Sequence, residues 1–390
     1  MTIAFEFDGV CTDLSFIREK QISELDYLYS PFSLTISKPR NGILEILSIF
    51  GLFSDLAIIS SRPVEDESYI KNWLSHNKLL SFFEKILCCG EFAKTEIMAQ
   101  NGINVLIGVK TIHVISQSGN LKIILWNEQT WIEFAIELFT FLMSISKACI
   151  KIKPDLKLCE VEYLSDLGSS PVFLLKFTDR TKLKLRICLN YEVKYRVTTF
   201  LEIAVKNDYK HVSRLVAENG LAILKLYIEG KLISTFGKRE RLYYVFKAGS
   251  ALAKLHSIKI NKPISNFTFG INDGSDSLLV LSADNYNMII TTENDVSFID
   301  LEACNSGSRW IDLVWSDNLL CENERERKAL IEGYFSIYKG NIATEEEMKM
   351  AKHNYKLWLT YQLQNSRLIH SRDTQKNKII SDTFLQIWND

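Results

Sequence analysis

Residues 280–302 read VLSADNYNMIITTENDVSFIDLE. A polar loop, Ser282 to Asn287, gives way to apolar residues and then to a strand, VSFIDLE (296–302), that ends on Asp300 and Glu302. The stretch interrupts a C-terminal half, from 238 to the end, whose patterning is otherwise mainly helical.

Working outward toward the N-terminus, the pattern changes. From about 150 to 235, KLCEVEYLSDLGSSPVFLLKFTDRTKLKLRICLN reads as strands joined by tight turns at Gly168–Ser170 and Thr178–Thr181. A helix is expected over about 191–206, and GLAILKLYIEG (220–230) adds a strand. Earlier still, residues 1–127 alternate apolar strands (IAFEF, LAIIS, KILCC, NVLIGV, LKIILW) with amphipathic helices (GILEILSIF, SYIKNWLSHN, KTEIMAQNG). Such alternation predicts a parallel sheet covered on both faces. A helix at 130–148 bridges to the next composition.

The 390 residues are 47% hydrophobic and 24% charged, an ordinary globular balance. A net charge of −1 gives no support for broad electrostatic binding to nucleic acid or an anionic membrane. Eight cysteines are scattered, and none forms a CxxC pair or a cluster with zinc spacing. The start, MTIAFEFDGV, reads as strand and turn, with no basic leader segment. The most apolar run (131–150) contains Glu133 and Glu137 and reads as a buried helix rather than a span. The chain is expected to be cytoplasmic, with no membrane and no nucleic-acid partner.

The second half resembles the aminoglycoside phosphotransferase and choline kinase group, relatives of the protein kinases. LSDLGSSPVFLLKF (164–177) is similar to the group's first hairpin, and the resemblance makes Gly168, Ser169 and Ser170 the turn over the nucleotide. KLKLRI (182–187) resembles the third strand, where Lys184 or Arg186 would meet the phosphates. LAILKLYIEGKLI (221–233) resembles the hinge strand, whose backbone, at Leu224 and Leu226 among others, would meet an adenine. AGSALAKLHSI, VSFIDLE and GSRWIDLVW match further segments in order. In the group's HGDxxxxN pattern Asn287 falls on the metal-binding amide and Asp300 on the metal-binding acid. Val280, Leu281 and Ser282 stand where His, Gly and the catalytic Asp belong, so Ser282 occupies a degenerate base position. Asp284 lies two residues on, as a candidate displaced base. Asp312 is expected to hydrogen-bond the loop backbone. The glutamate that should pair with the strand cation is sought at Glu192 or Glu202, with Val197 at the expected spot.

The first half resembles the haloacid dehalogenase superfamily, distantly its nucleotidase-like branch. In FEFDGV (5–10) Glu6 falls on the nucleophile and Asp8 on the general acid. In IISSRP (58–63) Ser60 falls on the phosphate-contacting hydroxyl, and Lys94 in EFAKTEI on the phosphate-neutralising lysine. Gly108, Val109 and Lys110 stand where the family places magnesium-binding acids. Glu6 is one methylene too long for an aspartyl nucleophile, and Val109 offers no oxygen to Mg²⁺.

The resemblances together imply an α/β chain: a Rossmann-like parallel-sheet domain (1–129), a bridging helix (130–149), and a bilobal kinase-like domain of α+β character (150–235 and 236–390). With both catalytic motifs degenerate, they imply a phosphotransferase-like pseudoenzyme that binds ATP with Mg²⁺, or a phosphorylated ligand, and supports a partner or pathway. One alternative is an active kinase with an atypical base, acting on a small molecule or a peptide. Another is a bifunctional kinase–phosphatase. The partners implied are a nucleotide and a protein partner or peptide substrate.

Overall fold

The computed structural model describes residues 1–15, 32–90, 94–109, 121–127, 129–144, 149–150, 153–164, 170–260, 263–264, 277–341 and 343–365, with the backbone alone for 32–33, 149–150, 153–154 and 358–365. The chain divides into two compact units. One comprises Met1–Glu162, Leu174–Lys182 and Ala217–Ala222, and the other Tyr163–Phe173, Leu183–Val216 and the chain from Ile223 on.

The first unit is built on five strands: β1 (Thr2–Glu6), β2 (Asp55–Ser60), β3 (Phe83–Cys88), β4 (Ile103–Gly108) and β5 (Lys122–Leu125). Their order is β3-β2-β1-β4-β5, and every pairing is parallel. The helices α1 (Ile43–Phe50), α2 (Glu67–His76), α3 (Lys94–Gln100) and α4 (Trp131–Ser144) accompany them. Ile3, Ala4 and Phe5 of the central strand have no exposed surface, as expected of a strand covered on both faces. Thr130 and Glu133 form a reciprocal capping box at the start of α4, with the Thr130 N–H donating to the Glu133 carboxylate (2.8 Å) and the Glu133 N–H to the Thr130 hydroxyl (3.3 Å).

A second sheet has six strands: β6 (Cys149–Ile150), β7 (Lys153–Tyr163), β8 (Val172–Phe177), β9 (Lys182–Ile187), β10 (Leu215–Asn219) and β11 (Ala222–Leu226), in the order β10-β11-β9-β8-β7-β6. Between β9 and β10 lies α5 (Tyr191–Lys206), capped by the Asn190 side chain, which accepts from the Val193 N–H.

Downstream come β12 (Gly230–Leu232), α6 (Lys238–His256), β13 (Ser277–Leu279), β14 (Met288–Thr291), β15 (Val296–Phe298), β16 (Asn305–Gly307), α7 (Arg309–Leu319), α8 (Glu324–Ile337) and α9 (Glu345–Asn365). β12, β14 and β15 form a three-stranded antiparallel sheet, and β13 pairs with β16. α6 and α8 touch backbone to backbone. A Cβ on Gly249 would come within 2.1 Å of the Leu330 carbonyl oxygen, and one on Gly333 within 1.9 Å of that of Phe246. Only glycine permits this approach, and it fixes the axis that carries His256. Among the described residues no helix is long and apolar enough to cross a membrane.

Candidate functional site

In the first unit β1 and β2 end side by side, with Glu6 in register with Ile59. There the chain turns through Phe7–Cys11, where Gly9 takes a φ of +87°. A Cβ on Gly9 would lie 2.8 Å from Val109 Cγ2, so Val109 packs on the turn where a metal-binding acid was sought. Glu6 is ion-paired with Lys94 from the start of α3. Asp8 is held from two sides: Ser60 Oγ donates to its Oδ2 (3.0 Å), and Arg62 Nε and Nη2 donate to its Oδ1 (3.1 and 3.0 Å). Arg62 has no exposed surface and also approaches Asp66 at 3.7 Å. Burial pushes the Asp8 carboxyl upward, and Arg62 and Ser60 oppose that shift. Glu6, Asp8, Ser60 and Lys94 therefore meet at the carboxyl end of the sheet. Arg62, quoted within its motif but given no role, is the buried cation that pairs with Asp8. Lys110 lies outside the described residues.

In the second unit the loop 280–287 is hung from below by one carboxylate. Asp312 accepts from the backbone N–H of Val280 (2.7 Å) and Leu281 (2.6 Å) and from His256 Nε2 (3.1 Å), and His256 Nδ1 in turn meets the Tyr334 hydroxyl (2.9 Å). Asp312 is fully buried and His256 nearly so. Asn285 is fixed by Arg241 (Nη1 to Oδ1, 2.7 Å), itself paired with the buried Glu326 through Nε and Nη2 (3.0 and 3.1 Å). Leu281, in the glycine position of the pattern, adopts a φ of +52°.

The two residues considered as bases are both engaged. Ser282 donates to the backbone carbonyl of Asp300. Asp284 accepts from the N–H groups of Tyr286 (2.8 Å) and Asn287 (2.9 Å) through Oδ1, and from Asn287 Nδ2 (2.8 Å) through Oδ2. Its carboxylate thus organises the turn and orients the Asn287 amide.

Asp300 Oδ1 accepts from Arg186 Nη1 of β9 (2.8 Å) and from the Glu302 N–H (3.2 Å). Arg186 also lies 3.5 Å from Glu302, whose carboxylate receives the Ser170 hydroxyl and whose carbonyl receives Arg196 Nη2 (2.8 Å). Glu192 and Glu202 are exposed and Val197 is buried, so Glu302 supplies the carboxylate sought on α5. Burial alone would lower the Arg186 pKa, but Asp300 and Glu302 raise it, so it stays cationic. Gly168 and Ser169 lie outside the described residues, and Ser170 is buried.

Beside this cluster a cavity of about 80 Å³ is lined by Lys184, Ser213, Lys225, Leu226, Tyr227, Ile228, Gly230, Ile289 and Ile299. Leu226 is part of that lining, whereas Leu224 is fully buried in the core and absent from it. Lys225 was not singled out from the sequence, although a lone lysine inside the apolar run LAILKL was a visible signal. Burial, then the neighbouring Lys184 and Arg186, bring the Lys225 ammonium down to about 7. Asp300 and Cys188 oppose the shift. Burial, then Arg186, bring Lys184 down to about 8 against Asp300 and Glu302.

Asn287 and Asp300 offer an amide and a carboxylate oxygen, hard donors of the kind Mg²⁺ takes. Among the described residues no group of three or more His, Cys, Asp or Glu could hold a metal. A divalent ion bound by two side chains and by phosphates needs no such group. An amide and a carboxylate oxygen fit an ion whose remaining ligands come from phosphates and water.

No protein-family model matches the chain, and no curated protein matches it. Solved structures are similar to part of it. The choline kinase LicA of Streptococcus pneumoniae aligns over 66% of this chain and 98% of its own, at 10% identity and a TM-score of 0.48. The ethanolamine kinase of Plasmodium vivax aligns over 59% and 82%, at 13% identity and 0.42. The ADP-bound aminoglycoside phosphotransferase APH(2'')-Ib aligns over 58% and 93%, at 14% identity and 0.42.

Proposed function

We propose that the second unit binds a nucleoside triphosphate with Mg²⁺ and that the chain is a kinase-like phosphotransferase. One observation carries the reading: Lys184 and Lys225 line a cavity bordered by the strand end 226–228, beside the Arg186–Asp300 pair. Below about pH 7, where Lys184 and Lys225 both hold their protons, three cations against the two carboxylates of Asp300 and Glu302 leave the cleft one positive charge in excess, which suits a polyanion. Of the two cations on β9, Arg186, paired with Asp300, would meet phosphate oxygens. Asn287 and Asp300 would hold the divalent ion, which neutralises phosphate charge when bound.

Phosphoryl transfer depends mainly on positioning and electrostatics. With Ser282 and Asp284 engaged, this chain would supply those and leave the acceptor proton to solvent or substrate. The engagement of both residues also favours a second reading, a nucleotide-binding pseudoenzyme that supports a partner.

ADP release with Mg-ATP, measured beside Asp300→Ala as the blank, separates the two readings. Turnover above the blank that survives Asp284→Asn supports the phosphotransferase. Binding without turnover supports the pseudoenzyme. The first unit is proposed to retain a haloacid dehalogenase-like arrangement without phosphatase turnover. Mg-dependent hydrolysis of a small phosphate ester, lost in Asp8→Asn, would overturn that.

A further inference from the structure

Two ammonium groups line a cavity whose other walls are largely apolar. Lys225 is 3% exposed and stands in a strand whose preceding residues, Ala222, Ile223 and Leu224, are buried. Among the described residues its polar contact is the Ile299 carbonyl oxygen, at a long 3.5 Å. The nearby Ser213 hydroxyl is committed to the Leu226 carbonyl, and the Leu226 N–H to that of Arg214 at 3.0 Å. What the side chains turn toward an occupant is therefore a set of donors. An ammonium has three donors and no acceptor, and a buried donor left unpaired is costly.

This matters for which base can enter. A purine carrying a 6-amino group, or a pyrimidine carrying a 4-amino group, places N–H donors at that position and leaves the lysines only a neighbouring ring nitrogen to donate to. A ring carbonyl at the same position turns an acceptor toward them, as guanine O6 does beside N7. We propose that this cleft selects nucleotides whose base presents a ring carbonyl toward Lys225 and Lys184 (guanine, hypoxanthine or uracil) over those presenting an amino group (adenine or cytosine). The proposal rests on the nucleotide-binding reading above and names the ligand class for that site.

Protonation gives a second handle. The charged and titratable groups around Lys225 are Lys184 and Arg186 on β9 and Asp300 after β15, with the Cys188 thiol just beyond β9 and the buried Cys304 thiol just before β16. The cations disfavour its charge and Asp300 favours it. A carbonyl oxygen placed on the ammonium adds a partner for the charged form, so binding of a keto base takes up a proton. A neutral amine can accept from an amino base, so preference for the keto base weakens as pH rises from 6 to 9.

Calorimetric titration of the full chain with the magnesium complexes of GTP, ITP, UTP, ATP and CTP tests this. GTP and ITP should bind on the order of 10- to 100-fold more tightly than ATP at pH 6.5, and UTP more tightly than CTP. GTP against UTP tells whether the carbonyl is read on a purine or a pyrimidine. Lys225→Met, which keeps length and removes charge, should erase the keto preference. Lys184→Met should reduce it, and melting curves check that both variants fold. ATP binding as tightly as GTP, or a GTP-to-ATP ratio unchanged in both variants, overturns the proposal and leaves nucleotide binding standing. Absence of binding by all five overturns both.

Discussion

Leu281 tests how the 280–287 loop is held. Its backbone N–H is fixed on Asp312, its φ is +52°, and its side chain is 3% exposed within the core of the second unit. A left-handed conformation costs an L-residue roughly 1–2 kcal/mol. Removing a buried leucine side chain down to the β-carbon costs roughly 2–5 kcal/mol. Burial therefore outweighs strain, which explains how leucine can occupy a position that favours glycine. Leu281→Ala should lose the packing and keep the strain, while Leu281→Gly should lose the packing and release the strain. Both are expected to be less stable than the native chain, with Gly above Ala by about 1 kcal/mol. At an ordinary position the order reverses, because glycine has more freedom to lose on folding. Urea unfolding followed by tryptophan fluorescence, with m-values compared across the variants, gives the difference. An alanine variant equal to or more stable than the glycine variant would refute the left-handed reading. A glycine variant more stable than the native chain would refute the claim that packing wins.

Arg62→Met should destabilise the first unit by roughly 3–5 kcal/mol in thermal melts, because it removes the cation that pairs directly with the buried Asp8, and adding Asp8→Asn should recover much of the loss. Lys225 has a folded pKa of about 7 against 10.5 unfolded, so between those values the unfolded chain binds more protons. Stability without nucleotide should therefore rise from pH 7 to pH 10, by an amount on the order of a few kcal/mol, and Lys225→Met should flatten the slope. Asp300→Ala should remove the magnesium-dependent part of nucleotide affinity in calorimetry, and an unchanged ratio of affinities with and without Mg²⁺ would count against its assigned role.

The elements were legible because their apolar runs are long and their caps are local. IAFEF, LAIIS and NVLIGV became adjacent parallel strands, and Asn190 and Thr130 mark helix starts with side chains that act within three residues. The positions of Glu6, Asp8, Ser60 and Lys94 at strand and helix ends followed from the same patterning. What stayed hidden depends on pairings distant in sequence. Arg186 was expected to seek a glutamate on α5, yet its partners are Asp300 and Glu302, more than a hundred residues away. Ser282 looked like a vacant base position, but its hydroxyl is spent on the carbonyl of Asp300, eighteen residues on. Arg62 has the same character: nothing local to IISSRP says that its guanidinium closes on Asp8 rather than facing solvent.

The two clusters of charge differ in a way that decides where a polyanion can go. In the first unit Glu6, Asp8 and Asp66 face Lys94 and Arg62, three carboxylates against two cations. A phosphate ester entering there would add negative charge to a site already in negative excess. Both cations are already paired with carboxylates. In the second unit the balance is reversed while Lys184 and Lys225 hold their protons, with these two and Arg186 against Asp300 and Glu302, and both lysines border open space. Burial has already weakened the hold of Lys184 and Lys225 on their protons, so an anion or an acceptor there recovers part of what their desolvation cost. Such recovery is open to a ligand in the second unit. In the first unit a ligand would first have to break the buried Arg62–Asp8 pair and leave that carboxylate without its cation.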